Sequence, residues 1–148
     1  MSRCETVIEA SIDDVWGTLA DGDTFQDWVV GCQMVRHVEG TWPMPGSAIH
    51  HRIGVGNATI DDTTTVVEME APRRLVLRAR VRPIGVACVE LTLTPAEPSG
   101  TTVVLEENVV DGPISHAPEI LTDPLLHARN VETLRRLKHL AESRVAHG

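Results

Sequence analysis

Apolar and polar residues alternate along most of the chain, and this pattern predicts a series of β-strands. Segments with every second residue apolar, or rich in β-branched residues, are typical of strands. Turn-like stretches of a few residues separate them, and such short connections favour neighbouring antiparallel strands in a meander. The predicted strands are 3–10, 34–38, 47–55, 58–69, 75–81, 86–94 and 102–110.

Apolar residues spaced three or four apart predict two short helices after the first strand. Ser11 can cap the first helix, in which Ile12, Val15 and Leu19 share one face. A second short helix over 24–30 is expected to bury Phe25, Trp28 and Val29 and to end at Gly31.

A long helix is predicted at the end of the chain. Asp123 can serve as its N-cap and Pro124 as its first residue, where proline is tolerated. Arg129 is expected on its outer, charged side. The expected inner stripe is Leu126, His127, Asn130, Val131, Leu134, Leu137, Ala141 and Val145.

The hairpins indicate which strand face points inward. Between residues 75 and 81 the odd positions are apolar, whereas Arg78, Arg80 and Arg82 occupy even positions. We expect this arginine row on the solvated outer face, with Arg78 opposite Glu90, and favour that interpretation over an anion site. A slip of one residue would break every same-face pair. The expected pairs are Met69 with Leu75, Val67 with Leu77, Leu77 with Leu91, Ala79 with Val89, Leu91 with Leu105, and Leu93 with Val103.

The same register turns several polar residues inward. A turn over 54–57 would pair His51 with Asp61 and Ile49 with Thr63. The predicted polar set is His51, Asp61, Thr63, Thr65, Glu107 and Asn130. An apolar concavity holding a few convergent polar groups is typical of a small-molecule site. The expected ligand-binding residues are Trp28, His51, Asp61, Thr63, Leu77, Val89, Leu91, Leu105, Glu107, Asn130 and Leu134.

Two of these residues are candidates for acid–base chemistry. His51 with Asp61 could be a base and its orienting carboxylate, or a structural hydrogen bond in a wet core. Glu107 could act as general acid or base between apolar walls, or it could only bond Asn130. No metal site is expected, because adjacent His50 and His51 face opposite sides of a strand. No motif implies a cofactor.

Composition and net charge restrict the kinds of partner and the cellular location that we expect. The chain has 148 residues, the usual size of a single domain, with a net charge of 13 − 21 = −8 that argues against nucleic acid and anionic membranes. Cys4, Cys32 and Cys88 are an odd count without metal-ligand spacing, so free thiols in a reducing compartment are expected. Without an apolar leader or span, the cytoplasm is the predicted location. A homodimer through the outer sheet face or the meander edge stays open.

Several segments resemble the START-like superfamily, also labelled SRPBCC. The opening ETVIEASIDDVWGTLADGDTFQDWV is similar to its first strand and two helices, APRRLV at 71–76 to its common hairpin, and GTTV at 100–103 to its last strand. WVVG at 28–31, HHRIG at 50–54 and the pair Asp61-Asp62 resemble bacterial polyketide cyclase/dehydrase-type proteins. The resemblance implies an α+β helix-grip fold, a curved antiparallel sheet wrapped around a long C-terminal helix, with the ligand between them.

Three functions are compatible with these observations. The first is a carrier that binds a small, largely apolar molecule, lipid-like, polyketide-like or aromatic. The second is a polyketide cyclase or dehydratase, in which His51 or Glu107 would move protons while the pocket folds the substrate. The third is a protein-interaction module like the co-chaperones of this fold. Because one fold supports many functions, no catalytic set can be assigned by position.

Overall fold

The computed structural model describes residues 1–81, 85–116 and 119–147. Among these residues it contains seven strands and three α-helices, with 3-10 turns at Gly22–Thr24 and Pro113–His116. The strands are β1 (Ser2–Ile8), β2 (Cys32–Glu39), β3 (Ala48–Val55), β4 (Ala58–Glu70), β5 (Arg74–Val81), β6 (Gly85–Pro95) and β7 (Thr101–Asp111). The helices are α1 (Ile12–Leu19), α2 (Phe25–Trp28) and α3 (Glu119–His147).

All seven strands form one antiparallel sheet in the order β1-β7-β6-β5-β4-β3-β2. The consecutive hairpins produce the predicted meander, and β1 joins it beside the last strand. The long helix α3 packs against β1 and β7, and the short helices α1 and α2 also contact it. This arrangement is the helix-grip fold that the family resemblance implied.

The helix boundaries agree with the sequence at the first helix and differ at the others. The Ser11 hydroxyl accepts a hydrogen bond from the Asp14 backbone, as an N-cap should. The predicted second helix is split into the first 3-10 turn and the single turn α2. The prediction that Asp123 caps the last helix was wrong, because α3 already begins at Glu119 and contains Pro124. The Asp123 carboxylate accepts a hydrogen bond from the N-terminal amino group of Met1 instead.

The register of the last two strands is confirmed. Leu91 pairs with Leu105 and Leu93 with Val103. All four side chains are almost fully buried, which fixes the inner face of β6 and β7.

The hairpin between β5 and β6 slips by two residues from the prediction. Leu77 pairs with Val89 and Ala79 with Ala87, because the ladder closes at Val81 and Gly85. Most of the turn predicted between strands 75–81 and 86–94 falls on residues 82–84, which include Arg82 and lie outside the described residues. A slip of two residues keeps every side chain on its predicted face, so the inward set is unchanged.

The predicted outer-face pair of Arg78 with Glu90 is wrong for the same reason. Arg78 lies opposite Cys88 instead. Glu90 accepts a hydrogen bond at 2.7 Å from Nε of Arg74, which also contacts the Glu68 carboxylate.

Strand β4 carries the main correction. Val55 pairs with Ala58 around a two-residue turn, so His51 lies opposite Asp62 rather than Asp61, and Ile49 opposite Thr64 rather than Thr63. A β-bulge between Val66 and Glu68 then restores the predicted pairing of Met69 with Leu75. Because a one-residue shift exchanges the two faces, the even residues of β4 before the bulge point inward. The buried even residues are Asp62, Thr64 and Val66.

The bulge also corrects the predicted pair of Val67 with Leu77. Leu77 lies opposite Val66, whose side chain is 1% exposed, while Val67 is the extra residue and is 49% exposed. The bulge thus changes which of two adjacent valines enters the core.

The inner face of α3 is rotated from the predicted stripe. Asn130, Leu134, Leu137 and Ala141 are buried as predicted, but Val131 and Val145 are exposed. Thr133 is buried instead. The helix therefore turns the side that includes Arg129 and Thr133 towards the sheet.

Candidate functional site

A cavity of about 630 Å³ lies between the inner face of the sheet and α3. Its floor is apolar, formed by inward side chains of the central strands, among them Leu77, Val89, Leu91 and Leu105. Helix α2 supplies one wall and the middle of α3 another. Some lining residues are exposed and define what we call the rim: Gly31, Ala58, Ile60 and Arg80.

Most of the residues predicted to bind a ligand line this one cavity. Residues on the cavity wall are Trp28, His51, Leu77, Val89, Leu91, Leu105, Glu107 and Asn130. They come from α2, β3, β5, β6, β7 and α3, so the fold gathers positions far apart in sequence. Their role in binding stays a prediction.

Three of the predicted residues lie elsewhere. Leu134 is buried in the hydrophobic core rather than on the cavity wall. Asp61 faces the outer side of the sheet, where its carboxylate contacts Arg52 at 3.2 Å and Arg36 at 3.5 Å. Thr63 bonds His50 Nδ1 at 3.0 Å on that same side. The predicted dyad of His51 with Asp61 is therefore wrong, because the two-residue turn shifts β4 by one position.

His51 instead forms a hydrogen bond with Thr64 on the cavity wall. Its Nε2 atom lies 2.9 Å from the Thr64 hydroxyl oxygen, and the side chain is 3% exposed. Burial lowers the pKa of His51 to about 4, and the Asp62 carboxylate offsets this only in part. The imidazole is consequently neutral at neutral pH. A group with so low a pKa is a weak base for catalysis near pH 7.

A polar cluster lies where β7 meets α3. Glu107 is 1% exposed, and its Oε1 accepts a hydrogen bond at 2.9 Å from Nδ2 of Asn130, the contact that was one of two alternatives left open by the sequence. Its Oε2 lies 3.4 Å from Nη1 of Arg129. These donors lower the cost of burying a carboxyl group in an apolar cavity. Arg129 was expected on the outer side of α3 and instead lines the cavity.

Aromatic rings pack together at the α2 end of the cavity. The Phe25 ring stacks on His51, with centroids 5.6 Å apart, and meets Trp28 edge-on at 5.5 Å. Trp42 packs edge-on against Phe25 and donates its indole N–H to the Leu19 carbonyl. The Trp28 indole nitrogen and His51 Nδ1 are buried without a hydrogen-bond partner in another described residue. An unpaired buried polar atom costs about 1–3 kcal/mol.

The Cys32 thiol at the cavity wall is a poor nucleophile. Cys32 is buried, and burial raises its pKa to about 11, so the thiol stays protonated at neutral pH. Cys4, Cys32 and Cys88 are all free. In residues 1–81, 85–116 and 119–147, no group of three or more His, Cys, Asp or Glu side chains is arranged to hold a metal ion.

Sequence reasoning missed several cavity residues. Thr64 would have been found by treating Gly56-Asn57 as a two-residue hairpin turn, which Gly-Asn favours. Arg129 and Thr133 are one helical turn apart and flank Asn130, so a stripe centred slightly differently would have included both. Ile53 and Cys32 carry no local signal that separates a cavity wall from packed core.

The chain belongs to the family described as polyketide cyclase / dehydrase and lipid transport, whose profile matches residues 3–142. A search of curated proteins finds no match. Across the described residues, no helix combines the length and apolarity needed to cross a membrane.

Solved structures share the fold at low sequence identity. A protein from Nitrosomonas europaea has a TM-score of 0.75 at 16% identity, with 97% of this chain and 95% of that chain covered. The Zhui aromatase/cyclase from Streptomyces sp. R1128 has a TM-score of 0.75 at 19% identity, covering 97% and 93%. The di-domain ARO/CYC protein StfQ of the steffimycin biosynthetic pathway has a TM-score of 0.71 at 14% identity, covering 97% and 51%. At these identities the likeness concerns the fold.

Proposed function

We propose that this protein binds a small, largely apolar molecule, lipid-like, polyketide-like or aromatic, in the cavity between the sheet and α3. The observation that carries the proposal is the cavity itself, which is about 630 Å³ in volume and mostly apolar in its lining. Small-molecule sites commonly occupy about 300–1,000 Å³ and hold a few convergent polar groups.

Binding can be tested with a neutral fluorescent probe and a variant that fills the cavity. Ala79 lines the cavity, so Ala79→Phe should lower the affinity for N-phenyl-1-naphthylamine at least about tenfold by occupying the ligand's volume. Ala71→Phe makes the same change at an exposed turn residue and should leave the affinity unchanged. Melting curves would show that both variants fold.

Native mass spectrometry of freshly purified protein asks the same question without a chosen probe. We expect a small molecule to co-purify with the wild type and to be depleted in Ala79→Phe. Equal probe affinity in all three folded proteins, with no co-purifying mass, would contradict the proposal.

A second candidate function is a cyclase- or dehydratase-type enzyme. It is favoured by the family and by the presence of Glu107 and His51 among the residues that line the cavity. Since neutral His51 is a weak base, Glu107 is the stronger candidate for moving a proton. Under this hypothesis Glu107→Gln abolishes turnover of a synthetic poly-β-ketone thioester but keeps probe affinity within a few-fold. If wild-type protein binds the thioester and leaves it unchanged, the binding function alone is supported.

The cavity also bears on the third candidate function, a protein-interaction module. An interaction module would need no ligand-sized cavity, so the observed volume favours a ligand over a protein partner. A homodimer, a cytoplasmic location and the absence of a cofactor stay predictions from the sequence.

A further inference from the structure

Arg129 has unused hydrogen-bonding capacity at the edge of the cavity. Its Nε donates to the Val30 carbonyl at 3.3 Å, and its Nη1 lies 3.4 Å from Glu107 Oε2. Both contacts are long, and the contact with Glu107 is single rather than the paired geometry that arginine prefers with a carboxylate. A guanidinium has five N–H donors, so within the described part of the chain Nη2 is left for another acceptor.

The position of Arg129 allows a ligand to reach it. Its side chain is 37% exposed although it lines the cavity, whereas the neighbouring Glu107 side chain is 2% exposed. The guanidinium therefore lies between the buried apolar floor and solvent. Glu107 already accepts a shorter hydrogen bond from Asn130, at 2.9 Å. Arg129 adds a longer contact from Nη1, at 3.4 Å, which leaves Nη2 for a ligand.

Arg129 places a cationic group on the wall of a cavity whose lining is otherwise mostly apolar. The complete sequence carries a net charge of −8, so this cation lies in an acidic protein. A guanidinium at such a wall, with its Nη2 free of the described residues, favours an anionic ligand group over a neutral or cationic one.

We infer that the ligand is amphipathic: an apolar body that lies on the leucine- and valine-lined floor, with one oxyanion that Arg129 binds near the rim. This inference rests on the proposed binding function and adds the chemical class of the ligand. A carboxylate, an enolate or a phosphate monoester would each present the acceptor oxygens that a guanidinium fork matches.

Two probes with the same apolar body separate the role of charge from that of the cavity. N-phenyl-1-naphthylamine is neutral, and 8-anilino-1-naphthalenesulfonate is the same ring system with a sulfonate. In the wild type we expect the anionic probe to bind more tightly. Arg129→Gln should weaken the anionic probe about tenfold or more and change the neutral probe less than about twofold, because the neutral probe offers no oxyanion for the guanidinium to bind. Arg129→Lys should fall between these values for the anionic probe, since it keeps the charge without the fork.

Arg135→Gln is the matched control. Arg135 lies on the same helix, is 68% exposed and pairs with Glu132 on the outer side, so its replacement should alter neither probe. Decanoate and decyl phosphate should displace the neutral probe better than 1-decanol does, and their relative strength would separate a carboxylate ligand from a phosphate ligand.

The outcomes are distinguishable. If neither probe binds the wild type, the proposed function itself fails. If the neutral probe binds but Arg129→Gln weakens both probes by the same factor, Arg129 only supports the fold and the inference is overturned. The same holds if Arg129→Gln leaves the anionic probe unchanged.

Discussion

His51 is 3% exposed, its Nε2 bonds Thr64, and burial lowers its pKa to about 4. The unfolded chain has a histidine pKa of about 6.5. Between these values the unfolded state binds more protons than the folded state, so the free energy of unfolding rises with pH. The stability associated with keeping His51 neutral and buried is fully present above pH 6.5 and is lost as the pH falls towards 4.

This shift predicts a specific pH dependence of stability. From pH 7 to pH 5 the wild type should lose about 2 kcal/mol through His51 alone. Urea unfolding at both pH values should show a smaller loss in His51→Gln than in the wild type. His139→Gln, at an exposed position of α3, should keep the wild-type slope. An NMR titration of the His51 ring with a midpoint near 6.5 would contradict the argument.

At the scale of elements, hairpin β3–β4 decides which polar side chains face the cavity. Between the turn at Gly56-Asn57 and the bulge at Val67, the even residues of β4 face inward and the odd residues face outward, the reverse of the prediction. Asp62 and Thr64 therefore point inward. Gly54 makes this hairpin close tightly. It has φ +138°, and a Cβ placed there would lie 2.1 Å from the Ala58 carbonyl oxygen.

We therefore expect opposite effects from the same substitution at two glycines. Gly54→Ala should lower the free energy of unfolding by about 1–3 kcal/mol, because the backbone must shift out of a strained conformation. Gly17 lies inside α1, and a Cβ built there would have no other atom within 4 Å. Gly17→Ala should therefore raise the free energy of unfolding by about 0.5–1 kcal/mol. Denaturant melts of both variants check this, and equal shifts would show that the close approach at Gly54 is unimportant.

The limits of sequence reasoning are clear in these elements. Alternation predicted the faces of β5, β6 and β7, including inward Glu107, because a two-residue error in a turn preserves the face. It failed at β4, where an error of one residue exchanged Asp61 for Asp62. A two-residue turn and a single bulge leave only a faint trace in composition, yet they decide that Thr64 rather than Thr63 lines the cavity.

At the scale of the whole molecule, α3 closes the cavity by packing on the sheet and the short helices. Leu137 is fully buried, whereas Val131, on the same predicted stripe, is 48% exposed. Leu137→Ala should therefore cost about 2–5 kcal/mol by leaving a void. Val131→Ala should change stability by less than about 0.5 kcal/mol, as an exposed site does. Thermal or urea unfolding would measure both, and similar losses would mean that the helix is rotated towards the stripe predicted from sequence.

The sequence alone determined the series of strands, the meander and the inward faces of the last three strands, and its resemblance to the START-like superfamily indicated the family and the helix-grip fold. The strands, their order and their faces depend on local periodicity and short connections, which are present in the order of residues. The tertiary structure decided which residues of β4 face inward, how α3 is rotated about its axis, and that Arg129 contacts Glu107. It also decided the neutral state of His51. Each of these depends on a turn length, a bulge or a packing angle, because those set which side chains meet across elements that are distant in the chain.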